Sequence, residues 1–121
     1  MKVKCGIDLV KICRLDEVNP RIRKRFIERV YTQRELAISH ESDYLAGLFA
    51  AKEAISKALG TGIGKVHWQD IEIRHSRYGE PKVKLHRFAK TVAKRKGLRH
   101  WVVSITHEDG FAVANAVAVG K

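Results

Sequence analysis

Cysteine is scarce in this chain, with Cys5 and Cys13 as its two thiols. That excludes a disulfide-stapled secreted scaffold. No apolar run approaches the length of a membrane-spanning helix. The opening lacks a long apolar core followed by a cleavage pattern, so no signal peptide is read there. The expectation is a cytoplasmic protein with reduced thiols. Internal repeats, low-complexity tracts and disordered tails are also missing, as are a zinc finger, an RNA-binding signature and a basic zipper.

Acidic residues are outnumbered, at 13 against 24 lysines and arginines, for a net charge of +11. Such a surface steers acidic partners. Nucleic acid, acidic proteins and phosphorylated small molecules all fit that field, and charge does not choose among them. A length of 121 residues is that of one domain with a modest core.

Patterning divides the chain. Val3, Cys5, Ile7 and Leu9 alternate and predict a first strand that carries Asp8 beside Gly6. Asn19 and Pro20 predict a helix start, followed by an apolar stripe of Ile22, Phe26 and Val30. Thr32 and Glu35 have capping-box spacing and open a short helix. A long helix over 44–59 then runs into Gly60-Thr61-Gly62-Ile63-Gly64. Its large apolar residues, Leu45, Leu48, Phe49, Ile55 and Leu59, share one face. Lys52 and Ser56 project onto that same face, and polar groups there need partners. Residues 70–75 and 82–85 predict a hairpin around Tyr78-Gly79-Glu80-Pro81. Leu85, Phe88, Ala89 and Val92 predict another helix, closed by Gly97. Strands over 101–106 and 111–119 follow, joined through His107-Glu108-Asp109-Gly110.

The last strand places Phe111, Val113, Val117 and Val119 on one face and four alanines on the other, with Asn115 breaking the large row. Both faces are expected to be buried, which a small domain achieves most simply by self-association. The order of strand, three helices, hairpin, helix and strand pair predicts one α+β domain over residues 1–121.

The chemistry-bearing residues are few. Asp8 and Glu53 are hard oxygen donors suited to Mg²⁺ shared with phosphate. Equally, Asp8 can order a loop and Glu53 can be solvated. Lys57 can follow a phosphate as a mobile point charge, or pair with Glu53 four residues earlier. Gly60, Thr61 and Gly62 can expose backbone N–H groups to phosphate, or simply end the helix. The pattern is not that of a P-loop. His107 suits acid–base work or a phosphate contact, or a plain structural place. The two cysteines are expected to be small, partly buried side chains.

Taken together, these residues resemble the holo-[acyl-carrier-protein] synthases of the phosphopantetheinyl transferase superfamily over nearly the whole chain. The resemblance rests on Gly6-Ile7-Asp8-Leu9-Val10, on Phe49-Ala50-Ala51-Lys52-Glu53-Ala54-Ile55-Ser56-Lys57-Ala58, and on Gly60-Thr61-Gly62-Ile63-Gly64. Trp68-Gln69-Asp70-Ile71-Glu72-Ile73 and Val103-Ser104-Ile105-Thr106-His107 follow in the expected order. It implies an α+β fold with antiparallel sheets packed on helices, assembled as a homotrimer with active sites between subunits. It implies transfer of 4′-phosphopantetheine from coenzyme A to a serine of an acidic apo-acyl carrier protein, leaving 3′,5′-ADP.

By that resemblance Asp8 and Glu53 would bind Mg²⁺ and Lys57 would position the diphosphate. Gly60, Thr61 and Gly62 would shape the nucleotide site, and Ser104 and His107 would contact coenzyme A. Glu53, directly or through a water, is the candidate base. Arg14, Arg21, Lys24 and Arg25 would dock the carrier protein. Two departures stand out. Many relatives carry arginine where this chain has Leu48, and a hydroxyl residue and lysine where it has Glu108-Asp109. Both lower the positive potential expected around coenzyme A. The competing readings are a nonenzymatic basic nucleic-acid-binding module and a different phosphate-transfer metalloenzyme.

Overall fold

Gly6 sets how the first strand meets the longest helix. A methyl group built at Gly6 would lie 2.0 Å from the carbonyl oxygen of Ala54. Only glycine permits that approach. The strand is β1, Lys2–Lys11, and the helix is α4, Ser42–Leu59. The computed structural model describes residues 1–121.

Between them lie α1 (Arg14–Glu17), α2 (Pro20–Val30) and α3 (Gln33–Ile38). After α4 come a 3₁₀ turn (Trp68–Asp70), β2 (Ile71–His75), β3 (Pro81–Leu85), α5 (Arg87–Arg95), β4 (Leu98–Glu108) and β5 (Phe111–Gly120). Two antiparallel sheets form. One has the order β1-β5-β4 and the other pairs β2 with β3. The α+β expectation holds, with one helix more than the sequence pattern suggested. The one-turn α1 is too short to show a period.

Local signals account for the helix ends. Asn19 caps α2 by accepting from the backbone N–H of Arg21, with Pro20 in the first turn. Thr32 and Glu35 form the capping box of α3. Gly60 ends α4 in the left-handed region, at φ 81°. Asp109 and Gly110, both at positive φ, make the two-residue turn between β4 and β5. His107 and Glu108 therefore belong to β4 rather than to a connecting loop. Likewise Leu85 ends β3 rather than starting a helix, and Asp70 lies in the 3₁₀ turn ahead of β2.

The core sits between α4 and the alanine face of β5. Ala112, Ala114, Ala116 and Ala118 are buried there with Leu45, Ala50, Ile55 and Leu59. Small residues let the helix lie close on the sheet. The other face of β5 is not covered within one chain. Phe111, Val113, Val117 and Val119 are half-buried and Asn115 is exposed. Val3, Ile7, Leu9 and Val102 are 57–64% exposed. The expectation that both faces are buried thus fails within one chain, because no element packs on the outer side. Cys5 and Cys13 are exposed, contrary to expectation; Cys5 alternates onto that open face. Ile22 is also exposed, while Ile27 and Val30 supply the buried contacts of α2.

Lys52 is wholly buried within this core. Its three ammonium donors reach Glu35 Oε1 at 2.9 Å, the Ile71 carbonyl at 2.6 Å and the Trp68 carbonyl at 3.2 Å. Glu35 in turn accepts from the N–H groups of Thr32 and Ile73. The buried lysine has the partners that its place on the apolar face demanded. It ties α4 to α3 and to the start of β2.

Candidate active site

The close approach at Gly6 has a direct consequence two residues later. Asp8 shares the helix-facing side of β1 with Gly6 and meets α4 beside Glu53 and Lys57. Lys57 Nζ donates to the Ile7 carbonyl at 2.9 Å and to Asp8 Oδ1 at 3.3 Å. The ammonium is therefore held by β1, and not by Glu53 on its own helix. Asp8 is largely shielded, with 17% of its side chain exposed, and Lys57 is open to solvent. Burial raises the Glu53 carboxyl above its ordinary value, the nearby Asp8 charge raises it further, and Lys57 works against both. Two carboxylates held this close, with one ammonium, suit a cation that shares a phosphate oxygen.

These residues fit Mg²⁺ on donor chemistry. Asp8 and Glu53 are hard oxygen donors, and burial together with the nearby Asp8 charge raises the Glu53 carboxyl. No third carboxylate, histidine or cysteine joins them in a closed metal cage. A site with two protein ligands leaves positions for water and phosphate, as Mg²⁺ prefers.

The glycine turn behaves differently from one sequence expectation. Gly60 N–H donates to the Lys57 carbonyl, and the N–H groups of Thr61 and Gly62 both donate to the Ser56 carbonyl. These donors complete the end of α4 and are not aimed outward at an anion. Of the two readings open for this turn, the helix end holds and the outward-facing N–H groups do not. The turn can contribute shape.

Ser104 and His107 lie elsewhere. β1 and β4 flank β5, so His107 is about 10 Å across the sheet from β1, two strand spacings away. His107 faces α4 and packs on Gly47, where an added methyl would come within 2.9 Å of its Nε2. That nitrogen donates to the Asp43 carbonyl at 2.7 Å, which fixes the tautomer when the ring is neutral. Ser104 alternates onto the opposite face, paired with Asn115. Both residues border one open cleft of about 460 Å³, which also includes His75, Glu80 and Pro81. His75 Nδ1 is buried without a partner. Sequence reasoning missed His75 and Pro81 as cleft residues, although the Gly79-Glu80-Pro81 turn was legible. Leu48 is 1% exposed and brings no charge to the cleft.

Arg14, Arg21, Lys24 and Arg25 are exposed on α1 and α2. Beside them is an apolar groove of about 230 Å³ that includes Leu15, Val18, Ile22, Phe26 and Phe49. Ile22 thus continues the apolar stripe of α2 into a groove wall rather than into the core.

Comparison with known proteins finds matches over nearly the whole chain. A family model described as the 4′-phosphopantetheinyl transferase superfamily matches residues 4–116. The holo-[acyl-carrier-protein] synthase of Caldanaerobacter subterraneus subsp. tengcongensis is 40% identical over 99% of this chain and 97% of its own length. The Helicobacter pylori holo-[acyl-carrier-protein] synthase, solved in complex with coenzyme A, superposes with a TM-score of 0.85 at 36% identity, covering 95% of this chain and 99% of its own. The Bacillus anthracis enzyme, solved with CoA (3′,5′-ADP), gives 0.78 at 34% identity over 98% and 96%. No helix of the chain is long and apolar enough to cross a membrane.

Proposed function

Since the chain belongs to the holo-[acyl-carrier-protein] synthase family of the 4′-phosphopantetheinyl transferase superfamily, we propose that it transfers 4′-phosphopantetheine from coenzyme A to a serine of apo-acyl carrier protein, with Mg²⁺. The observation that carries this reading is the meeting of Asp8, Glu53 and Lys57 where β1 crosses α4. A nucleic-acid module has no use for two carboxylates held together beside a lysine. A different phosphate-transfer enzyme would, but family membership favours the carrier substrate.

In this reading the serine oxygen attacks the β-phosphorus of coenzyme A, next to pantetheine. The bond from that phosphorus to the bridging oxygen breaks, and 3′,5′-ADP leaves with that oxygen. Asp8 and Glu53 hold Mg²⁺, which supplies charge neutralisation for the diphosphate when bound. Lys57 turns its ammonium from Asp8 towards the diphosphate and orients it. Glu53 is the candidate to take the serine proton, directly or through a water.

Ser104 and His107 contact coenzyme A in the cleft beside the β2–β3 hairpin. Because that cleft and the Asp8–Glu53 pair lie at different edges of one sheet, the complete site is built between copies of the chain. The open apolar face of the sheet is the surface for that assembly, read as a homotrimer. Gly60, Thr61 and Gly62 shape the nucleotide side of the site. Arg14, Arg21, Lys24 and Arg25 orient the acidic carrier, and the adjoining groove receives its apolar side chains.

The test is direct. The protein is incubated with apo-acyl carrier protein, coenzyme A and Mg²⁺, and the carrier is weighed intact. The expected result is a gain of one phosphopantetheine, absent without Mg²⁺ and lost in Glu53→Ala. No gain across several acidic carriers overturns the reading.

A further inference from the structure

A second groove lies outside this machinery. It opens along the seam between β3 and β4, beyond the end occupied by Pro81 and His107, with α5 as its third wall. Its volume is about 500 Å³. Ala93 and Leu98 are buried in its floor, and Lys84, Lys90, Lys94 and Arg99 stand exposed around it.

We infer that this groove is a binding site for a small phosphate polyanion, one carrying two or more linked phosphoryl groups. Four observations carry the assignment. First, the groove has four cations and no carboxylate on its walls. Second, none of the four forms an ion pair, although cations on the same elements do. Lys82 of β3 pairs with Glu80 at 2.8 Å, and Arg87 of α5 pairs with Asp70 at 2.7 Å. Acids are within reach of this part of the chain, but none is placed at the groove.

Third, Lys90 and Lys94 are four residues apart on α5, an arrangement that destabilises a helix unless an anion lies between them. Fourth, Trp101 forms part of the wall, and its buried indole N–H has no hydrogen-bond partner. A buried donor left unpaired is destabilising. An acceptor oxygen on a ligand would satisfy it once the ring shifts to open the N–H to the groove.

The volume selects a small ligand. About 500 Å³ is the size of an ordinary small-molecule site. Cations on three sides of an apolar floor surround a compact multiply charged anion. A long basic track with several aromatic platforms, as a nucleic-acid strand requires, is not present here. The groove lies on the helix-bearing side of the main sheet, away from the open apolar face. It is therefore separate from the surface proposed for self-assembly and independent of the transferase reading.

The test is isothermal titration calorimetry of the full-length protein with inorganic tripolyphosphate. It is run at low salt, without divalent cation and with saturating coenzyme A to occupy the nucleotide cleft. One binding event per chain is expected, weakening with salt. Lys84→Glu with Lys94→Glu should weaken it at least about tenfold, the loss of one charge-assisted contact or more. Both residues are exposed, so these changes leave the core intact. Trp101→Phe keeps most of the ring and should weaken binding about threefold or more by removing the N–H.

Equal affinity in the double variant overturns the assignment. So does loss of the heat when coenzyme A is present, which would assign the anion to the nucleotide cleft. Binding of single-stranded RNA without binding of tripolyphosphate overturns it too. If coenzyme A fails to bind in a separate titration with Mg²⁺, the transferase reading falls, while the Lys84 and Lys94 dependence still decides the groove.

Discussion

Lys52 and Glu35 form an ion pair at 2.9 Å with both side chains fully excluded from solvent. Burial pulls the lysine below its ordinary pKa, and the Glu35 carboxylate works against that shift. Desolvation makes such a pair a weak source of net stability, but removing one partner strands the other. Lys52→Met is expected to cost about 3–5 kcal/mol in denaturant unfolding. Adding Glu35→Gln should recover part of that loss, since the orphaned charge is then gone. If the two changes are simply additive, the ion pair is not the coupled unit described.

Gly6→Ala tests the contact that assembles the site. Its methyl group would meet the Ala54 carbonyl at 2.0 Å, an oxygen of helix backbone that cannot turn aside. β1 must then lift from α4 and carry Asp8 away from Glu53 and Lys57. Overpacking of this kind costs about 1–3 kcal/mol or more. The expected outcome is a lower melting temperature together with loss of carrier modification. Full activity in a stable Gly6→Ala protein would contradict the packing argument.

Much of this was legible in the sequence, and the rest failed for identifiable reasons. Asp8 beside Gly6 on a first strand was readable, and Lys52 on an apolar face announced a buried partner. The partner itself was hidden, because the capping-box spacing of Glu35 already gave it a local role. Ile22 fits the same periodic stripe as Phe26 and Val30, and period alone cannot separate a groove wall from a core. The alternation of β5 correctly separated its two faces, but could not say which side one chain covers. Gly60–Gly62 fitted either a phosphate contact or a helix end, because sequence does not reveal where N–H groups point. The distance between His107 and Asp8 depends on strand order, which linear spacing does not contain.

Glu72 governs the acid limb of stability. Burial pushes its carboxyl up, but hydrogen bonds from Thr32, His86 and Arg74, with the Arg74 charge, outweigh that and bring it down to about 2. The folded value lies below the ordinary 4.5, so the unfolded chain binds the proton first. The stabilisation is present above pH 4.5 and is lost as pH falls towards 2. Chemical unfolding across that window should show stability declining in the native protein and a shallower decline in Glu72→Gln. Superimposable acid profiles would remove Glu72 from this role.

The basic face of α1 and α2 should act on encounter with the carrier. Arg21→Glu with Lys24→Glu is expected to raise the carrier KM about tenfold at low salt, while leaving the coenzyme A KM near its original value. The difference should shrink as salt screens the field. A carrier KM unchanged at low salt would place the docking surface elsewhere.

The separation of His107 from Asp8 makes a sharper demand. If each site takes Asp8, Glu53 and Lys57 from one copy and His107 from its neighbour, the two groups can be inactivated in different chains. Asp8→Ala and His107→Ala proteins should each be strongly impaired alone. Unfolded together in equal amounts and refolded, they should regain activity, because about a quarter of the interfaces in a closed ring would pair two intact halves. The same proteins mixed without exchange of subunits should stay impaired. Recovery only in the refolded mixture is the signature of a shared site. No recovery in mixed oligomers of native mass would mean that one chain holds the whole site, and that the cleft beside His107 serves something other than the diphosphate bound at Asp8 and Glu53.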